Sequence, residues 1–308
     1  MDVVALAGGI GAARFLRGLV QVVDPAGLTV VANTGDDLRL HGLHISPDLD
    51  TITYTLGGGV HPEQRWGRAD ETVTVSSELT NRYGADAWFT LGDRDLATHL
   101  VRTEALAAGQ SLSDVTARIA RAWGLPFTLL PMTDDPVATI ITTADGRNLH
   151  FQRWWVGERA RPDVAQVHLQ GGAQARPAPG VIASIAAADV VILCPSNPVV
   201  SIGTILDIPG IRAALGAATV VGISPIVGGA VVRGMADRLL PALGSEVSCV
   251  GVAQRYADFL DAWLIDEVDA GRCDEVTALG VTVGTAQTVM HTPQVAAEVA
   301  TAALALVR

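Results

Sequence analysis

Residues 2–37 read DVVALAGGIGAARFLRGLVQVVDPAGLTVVANTGDD and contain two short apolar runs joined by a helical pattern. The runs Asp2–Ala7 and Leu28–Ala32 have the length of buried strands, and the apolar residues between them recur at helical spacing. A strand, a helix and a second strand in this order predict a right-handed βαβ unit. This segment therefore assigns the chain to the α/β class.

Apolar runs of the same kind return at Asp189–Cys194 and Thr219–Ser224. Aromatic residues make up only 5% of the chain. Most of the apolar surface is therefore aliphatic, which suits helices packed on a parallel sheet. We predict one doubly wound, mostly parallel Rossmann-like domain over residues 1–308, with a mixed α/β insertion at roughly residues 58–180.

Several segments carry more local predictions. Ser111–Trp123 has the period of an amphipathic helix, whereas Leu38–Gly59 has no clear period and is expected to be a loop. Ala138–Thr143 and Asn148–Trp155 flank an Asp-Gly turn and are expected to form a hairpin. Val247–Val252 is expected to be a further strand.

The charged residues exclude several classes of function. The net charge of −11 argues against a bulk nucleic-acid surface, because such a surface needs clustered positive charge. All 21 basic residues are arginine, since the sequence contains no lysine. A Schiff-base lysine and a Walker P-loop are therefore impossible. Any phosphate clamp must be built from arginine, backbone N–H groups or a metal ion.

Cysteine usage and hydropathy favour a cytoplasmic protein. Cys194, Cys249 and Cys273 are widely spaced and form no CxxC pair, which disfavours a disulfide framework or a zinc site. The N-terminus passes directly into an apolar strand without a signal-peptide pattern. No uncharged apolar stretch reaches the length of about 18 residues that a membrane span needs, so no membrane partner is expected.

Gly8, Gly9 and Gly11 lie between the first strand and the first helix. Glycines there let the backbone approach a ligand closely, and the helix N-terminus offers N–H groups to an anion. Arg14 stands where the third glycine of the dinucleotide fingerprint would be, so the match to that motif is partial. The position at the end of the first strand favours ligand binding; a tight turn without a ligand is the alternative.

Four carboxylates follow the second strand, those of Asp36, Asp37, Asp48 and Asp50. Loops at the carboxyl ends of parallel strands meet at the crevice where ligands bind, and paired carboxylates suit Mg²⁺. Turn and capping chemistry is the alternative for any single aspartate. Asp36 could instead accept a hydrogen bond from a ribose hydroxyl in a nicotinamide site.

Two other polar segments allow more than one interpretation. The acids around Arg94 could mark a helix start capped by Asp93 or Asp95, or Arg94 could bind a phosphate or carboxylate. Ser196-Asn197 and Ser224-Pro225 each end an apolar strand. Their amides and hydroxyls could read a nucleotide base, and ordinary strand-terminating turns are the alternative.

The motifs GGIGAARFLRGL, VVANTGDD, ISPDLDT, LGDRDLATH and PSNP followed by SIG occur in this order. In combination they closely resemble the 2-phospho-L-lactate transferase family of coenzyme F-420 biosynthesis, in particular its actinobacterial phosphoenolpyruvate transferase branch. The resemblance covers nearly the whole chain.

This resemblance implies a group transfer between two small molecules. The acceptor would be the deazaflavin FO (7,8-didemethyl-8-hydroxy-5-deazariboflavin), and the donor a guanosine diphosphate carrying enolpyruvate or lactate. The primary hydroxyl of the FO ribityl chain would attack the distal phosphorus, GMP would leave, and the product would be dehydro-F-420-0 or F-420-0. Mg²⁺ would be required, and the protein would be a homodimer.

The resemblance also implies roles for residues that match the motifs. Asp37 and Asp50 would be catalytic and would bind the metal, with Asp48 beside them, and we hypothesise that Asp50 accepts the proton of the FO hydroxyl. The residues that would contact FO are Asp50, Thr90, His44 and Trp66. Thr90 stands where some relatives carry a basic residue. The residues that would contact the donor nucleotide are Gly8, Gly9, Gly11, Ser196, Asn197, Ser224 and Pro225.

Two rival functions remain open at this point. The partial glycine fingerprint and Asp36 support a nicotinamide-dependent oxidoreductase. The scaffold alone supports a non-catalytic nucleotide-binding protein. The missing third glycine and the four aspartates count against the oxidoreductase, and the four aspartates also count against a non-catalytic protein, which has less use for a metal site. The sequence does not decide whether the donor carries enolpyruvate, lactate or glycerate.

Overall fold

The computed structural model of the protein describes residues 1–64, 66–86 and 88–307. The strands, in chain order, are β1 (Val3–Ala7), β2 (Leu28–Ala32), β3 (Leu38–Leu40), β4 (Leu43–Ile45), β5 (Thr128–Pro131), β6 (Ala138–Thr143), β7 (Asn148–His150), β8 (Val164–Gln170), β9 (Val190–Leu193), β10 (Val220–Ile223), β11 (Ile226–Val227), β12 (Ala230–Val231), β13 (Ala262–Asp266) and β14 (Thr282–Ala286).

Helices flank these strands on both faces of the central sheet. They are α1 (Gly9–Val22), α2 (Pro47–Leu56), α3 (Thr74–Tyr83), α4 (Asp95–Ala107), α5 (Leu112–Ala122), α6 (Val181–Ala187), α7 (Ile202–Leu206), α8 (Ile211–Leu215), α9 (Ala236–Leu239), α10 (Cys249–Gln254), α11 (Cys273–Thr277) and α12 (Pro293–Ala305).

The central sheet confirms the predicted doubly wound α/β fold. Within the described residues it has seven strands in the order β14-β13-β10-β9-β1-β2-β5, and every neighbouring pair is parallel. The chain moves outward from β1 through β2 to β5, then returns to the other side of β1 at β9. The strand order therefore reverses between β1 and β9, and ligands bind outside the carboxyl ends of strands at such a switch point.

Strand β1 contributes to two apolar layers. Val4 and Leu6 pack into the layer on one face of the sheet, whereas Val3 and Ala5 pack with the apolar side of α1 on the other. This alternation follows from the two-residue period of a strand, and burial on both faces explains why the run is continuously apolar.

Helices α1 and α12 cross closely on one face of the sheet. Gly18 of α1 is buried at the crossing, and a Cβ atom there would fall on the backbone of Ala296 in α12. The absence of a side chain at this position allows the two backbones to meet.

Residues 58–180 contribute strands to two different sheets. Strands β7, β6 and β8 form a separate antiparallel sheet, with the predicted hairpin between β6 and β7. Strand β5, in contrast, pairs with β2 at the edge of the central sheet. The limits of the insertion, and the description as one domain, stay predictions.

The predicted hairpin and the predicted amphipathic helix were confirmed, whereas one loop, one strand end and one strand were wrong. Leu38–Gly59 is not a loop, because β3 and β4 form a hairpin and Pro47 then begins α2. The second strand of the hairpin was predicted to reach Trp155, but β7 ends at His150 and the chain continues in helical turns. In the segment predicted to be a strand, the Ser248 hydroxyl accepts a hydrogen bond from the N–H of Gly251 and caps α10. The predicted amphipathic helix is α5.

None of the helices in the described ranges combines the length and apolar character that crossing a bilayer requires.

We expect Gly18→Ala to lower the free energy of unfolding by about 1–3 kcal/mol, because the added methyl group forces the backbones of α1 and α12 apart. Alanine's higher helix propensity offsets only part of this cost, since it is worth about 1 kcal/mol. Urea denaturation measures the difference. Gly271→Ala is the matched control, because a Cβ atom there meets nothing within 4 Å. Equal stability of the two variants would contradict the proposed packing at Gly18.

Candidate functional site

A cavity of about 450 Å³ opens at the carboxyl edge of the central sheet, at the switch point beside β1 and β9. It brings together most of the residues that the sequence singled out. The predicted site residues that line it are Gly8, Gly9, Gly11, Asp48, Asp50, Trp66, Thr90, Ser196, Asn197, Ser224 and Pro225. Asp37 and His44 lie beside the cavity and bond to each other, with His44 Nε2 3.0 Å from Asp37 Oδ2.

The glycine turn is packed tightly against neighbouring segments. Gly8 caps α1 with an extended backbone, and a Cβ atom on it would lie 2.6 Å from Cβ of Ser201 and 2.8 Å from Oδ2 of Asp48. A Cβ atom on Gly11 would overlap the carbonyl oxygen of Pro195. Gly9 has a φ of 71°, in the left-handed region that favours glycine. Packing therefore requires glycines here, and the same absence of side chains leaves the first turn of α1 open to the cavity.

Asp48 lies in the first turn of α2 and faces the start of α1. Its Oδ2 accepts a hydrogen bond of 2.9 Å from Nδ2 of Asn33, and the N–H of Gly9 also donates to the carboxylate. Burial nevertheless raises the pKa of Asp48 to about 6, since these hydrogen bonds only partly compensate for lost solvation. The charge of this carboxyl group therefore changes close to neutral pH.

Asp36 and Asp37 form the corner that follows β2, and Asp36 is buried whereas Asp37 is partly buried. Burial raises the pKa of Asp36 well above its ordinary value, and the charge of Asp48 raises it further. Gln152 donates a hydrogen bond of 3.1 Å to Oδ2 of Asp36. Burial also raises the pKa of Asp37, although His44 and Ser46 bond to its Oδ2. Several carboxylates are thus held close together at one edge of the sheet, where a cation or proton would stabilise them.

Asp50 belongs to a polar network that joins α2 to α4. Its two oxygens accept hydrogen bonds from the guanidinium of Arg102, one of them at 3.1 Å. His99 Nδ1 lies 3.7 Å from Asp50 Oδ2, and His99 Nε2 lies 3.3 Å from Asp95 Oδ2. The Tyr54 hydroxyl donates to Asp95. Sequence reasoning missed Arg102, because its partner is 52 residues away in the chain.

The donor atoms that could share one metal ion differ from the predicted set. In the part of the chain that the structure describes, ligand atoms of Asp50, Asp95 and His99 all lie within 4.8 Å of one another. Asp37 and Asp48 are not members of that group. The assignment of Asp37, Asp48 and Asp50 as metal ligands therefore stays a prediction.

The polar side chains after β9 and β10 are engaged with their own turns. Asn197 Oδ1 accepts hydrogen bonds from the N–H groups of Val199 and Val200. The Ser224 hydroxyl bonds to the backbone of Ile226. These contacts match the turn interpretation. A role for these residues in reading a base stays a prediction, although both turns line the cavity.

One wall of the cavity is aromatic, which the sequence analysis did not anticipate. The rings of Trp88 and Phe89 meet edge to face with centroids 5.4 Å apart, and those of Phe151 and Trp155 lie 5.4 Å apart. Trp66 completes this wall. The sequence did contain a signal for this wall, because aromatic residues are concentrated in WFT at 88–90 and in FQRWW at 151–155.

The segment around Arg94 bonds mainly to nearby backbone groups. Asp93 accepts hydrogen bonds of 2.9 Å from the N–H groups of Thr74 and Val75, so it caps α3 rather than its own helix. Hydrogen bonds to the exposed Asp93 carboxylate, first from Thr72, lower its pKa to about 2. The Arg94 side chain approaches the carbonyl of Ala69. The predicted helix start was correct, with α4 beginning at Asp95, but the predicted aspartate cap was wrong, because Arg94 is the N-cap residue and makes no side-chain cap bond.

The fold and cavity together define a Rossmann-like α/β protein with an acidic, glycine-edged site at its switch point. Comparison with known families then identifies the group. The chain belongs to the 2-phospho-L-lactate transferase CofD family, whose model matches residues 3–291.

Curated relatives match over almost the whole length. A phosphoenolpyruvate transferase of Thermobifida fusca is 52% identical over 318 residues, covering 99% of this chain and 98% of the relative. One of Streptomyces griseus is 53% identical over 287 residues, covering 91% and 90%. A crystal structure of a Bacillus halodurans protein has a TM-score of 0.65 at 18% identity, covering 98% of this chain and 99% of that one. That likeness concerns the fold alone.

These findings confirm the predicted family and its transferase function. They give no support to the nicotinamide-dependent oxidoreductase or to the non-catalytic nucleotide-binding protein.

We expect Asp48→Asn to stabilise the protein in a pH-dependent way. The carboxyl group ionises at about pH 3.8 when unfolded but at about 6 when folded, so the wild type loses stability as pH rises between these values. Above pH 6 the loss is complete, and the variant should be more stable by on the order of 2–3 kcal/mol. Below pH 4 the advantage should disappear.

Urea denaturation in EDTA at pH 4, 5, 6 and 8 measures this difference without a bound cation. Asp274→Asn, at an exposed carboxyl group, is the control. A stability difference between Asp48→Asn and the wild type that is the same at pH 4 and pH 8 would contradict the raised pKa.

Proposed function

We propose that this chain transfers a phosphoenolpyruvyl group from a guanosine diphosphate donor to the ribityl hydroxyl of FO, releasing GMP and giving dehydro-F-420-0. One observation carries the proposal: in a CofD-family chain, an open glycine turn, a carboxylate cluster and an aromatic wall line the same cavity. The names of the actinobacterial relatives favour enolpyruvate over lactate.

The donor diphosphate is placed at the start of α1. Gly8, Gly9 and Gly11 line the cavity at the start of this helix, and the helix dipole favours a negative group there. In the described part of the chain, the arginines that line the cavity are Arg14 and Arg233. Arg14 follows Gly11 by three residues, so it lies on the same side of α1 and supplies the cation that lysine cannot supply in this protein.

The deazaflavin ring of FO is placed against the aromatic wall. Trp66, Trp88, Phe89 and Trp155 line the cavity on the side of the 58–180 segment. Aromatic side chains contribute binding energy to a flat conjugated ring through apolar burial and offset stacking. Thr90 follows directly after this wall, so its proposed contact with FO is one of hydrogen bonding rather than charge.

The reaction needs positioning more than a covalent nucleophile. The FO hydroxyl oxygen forms a bond to the distal phosphorus while the bond from that phosphorus to the bridging oxygen breaks, and GMP leaves with the electron pair. The hydroxyl proton passes to a carboxylate. We assign this role to Asp50, which faces the cavity from α2.

The carboxylate cluster fits Mg²⁺. Asp36 Oδ1 and Asp37 Oδ1 are buried and have no hydrogen-bond partner among the described residues. A hard cation stabilises such oxygens, and it would neutralise charge on the donor diphosphate. We propose Asp37, Asp48 and Asp50 as its ligands. We further propose that the protein works as a cytoplasmic homodimer.

We expect FO-dependent release of GMP when the chain is supplied with Mg²⁺ and the enolpyruvate donor. Lactate and glycerate donors should react more slowly, because they lack the planar enol group. Chromatography measures GMP, and mass spectrometry identifies each product. Asp50→Asn should lower turnover by about 100-fold or more, the usual scale of lost acid–base catalysis. GMP release that does not depend on FO would contradict the proposed function.

We expect Arg14→Gln to raise the KM for the donor by about 10–100-fold, the effect of losing hydrogen bonds to a charged group. The KM for FO should stay unchanged. Calorimetry with GDP measures the same loss without turnover. Arg17→Gln is the matched control, since Arg17 is on the same helix but does not line the cavity. Equal GDP affinity in the two variants would remove Arg14 from the donor site.

A further inference from the structure

Arg102 lies beneath the cavity in the third turn of α4. Its side chain is only 2% exposed, and Arg102 is not among the residues that line the cavity. Asp95, His99 and Arg102 follow one another at spacings of four and three residues, so they share one face of α4. This polar face is directed at α2, which carries Asp50 and Tyr54.

The contact between Arg102 and Asp50 is bidentate. Nη1 donates to Oδ2 of Asp50 at 3.1 Å, and Nη2 donates to Oδ1. Nη1 also lies 3.5 Å from the carbonyl oxygen of His44. Two parallel hydrogen bonds fix the plane of a carboxylate as well as its position.

Asp50 is held in place at the cavity wall. It is 5% exposed, so only a small part of its carboxylate faces the cavity. Burial opposes the charge on Arg102, but the Asp50 carboxylate outweighs that effect and raises the pKa of Arg102. Each charge therefore depends on the other for its stability in the interior.

We infer that Arg102 is a positioning residue for the transfer reaction, which acts by fixing the orientation of the Asp50 carboxylate at the cavity wall. The inference rests on the proposed function, because that proposal gives Asp50 its role toward FO. Arg102 does not line the cavity, and its strongest contact is the bidentate one with Asp50, so its main effect on the reaction passes through Asp50. Lysine cannot replace it, because an ammonium group is a point charge and cannot hold both oxygens in one plane.

The first test is Arg102→Lys, which keeps the positive charge. We expect kcat to fall by about 100-fold, the scale of a small misplacement of a reacting group. Affinity for FO should fall about tenfold, the effect of one lost hydrogen bond to a charged group. GDP affinity should be unchanged. Arg118→Lys, at an exposed position of α5, is the matched control.

The second test is a double-mutant cycle of Arg102→Met and Asp50→Asn, measured on FO affinity by calorimetry and on turnover. We expect Arg102→Met to weaken FO binding in the wild-type background and to have no further effect once Asp50 is Asn. Arg102→Met alone leaves a buried carboxylate unpaired and is expected to be unstable. The double variant removes both charges and is expected to fold, as thermal melting will establish.

The outcomes separate the inference from the proposed function. Wild-type kinetics and FO affinity in Arg102→Lys would overturn the inference and leave the proposed function intact. Equal effects of Arg102→Met in the two backgrounds would also overturn it, because Arg102 would then act independently of Asp50. Absence of FO-dependent turnover in the wild type would overturn both.

Discussion

The site depends on the close contact between the first turn of α1 and the turn after β9. Gly11 lies against the carbonyl of Pro195, and Gly8 donates a long hydrogen bond to the Ser196 hydroxyl. Side chains at these glycines would separate the two turns, which end the neighbouring strands β1 and β9. Because the strand order reverses between these strands, their contact forms the edge of the cavity. The same glycines therefore set the sheet's packing and the opening through which a ligand reaches the N-terminus of α1.

Electrostatics explains why so many carboxylates can be held at this edge. Asp50 is neutralised by Arg102, and Asp48 is stabilised by Asn33 and the N-terminus of α1. Asp36 is bonded by the amides of Asn33 and Gln152, yet burial still raises its pKa well above the ordinary value. The four aspartates are therefore not equivalent. Asp50 is paired with an arginine, whereas the pair at Asp36 and Asp48 gains stability from a bound cation or a proton.

The sequence correctly predicted those elements whose formation depends on a local pattern of residues. The βαβ unit at residues 2–37 and helix α5 each carry their own period and turn residues, so they were correct. Val247–Val252 was wrong because its apolar residues fit either period, and the Ser248 cap decided in favour of a helix. In the site, Asp48 and Asp50 were identified as candidates because they follow the second strand closely in the sequence. Arg102 was missed, because a contact across 52 residues leaves no mark on local spacing.

The two sides of the cavity come from different parts of the chain. The edge formed by β1, β2 and β9 carries the glycine turn and the carboxylates, whereas the aromatic wall comes from residues 66–155. No side chain between Val60 and Thr90 is fully buried in the part of that segment the structure describes. Local stability follows buried contact, so this part of the wall contributes less to it than the buried strands of the sheet edge. Helix α4 connects the two, because Asp95 and His99 line the cavity while Arg102 holds Asp50 on α2. A group transfer needs both substrates in register, and the buried pair of Arg102 and Asp50 joins α4 to the helix that carries Asp48 and Asp50.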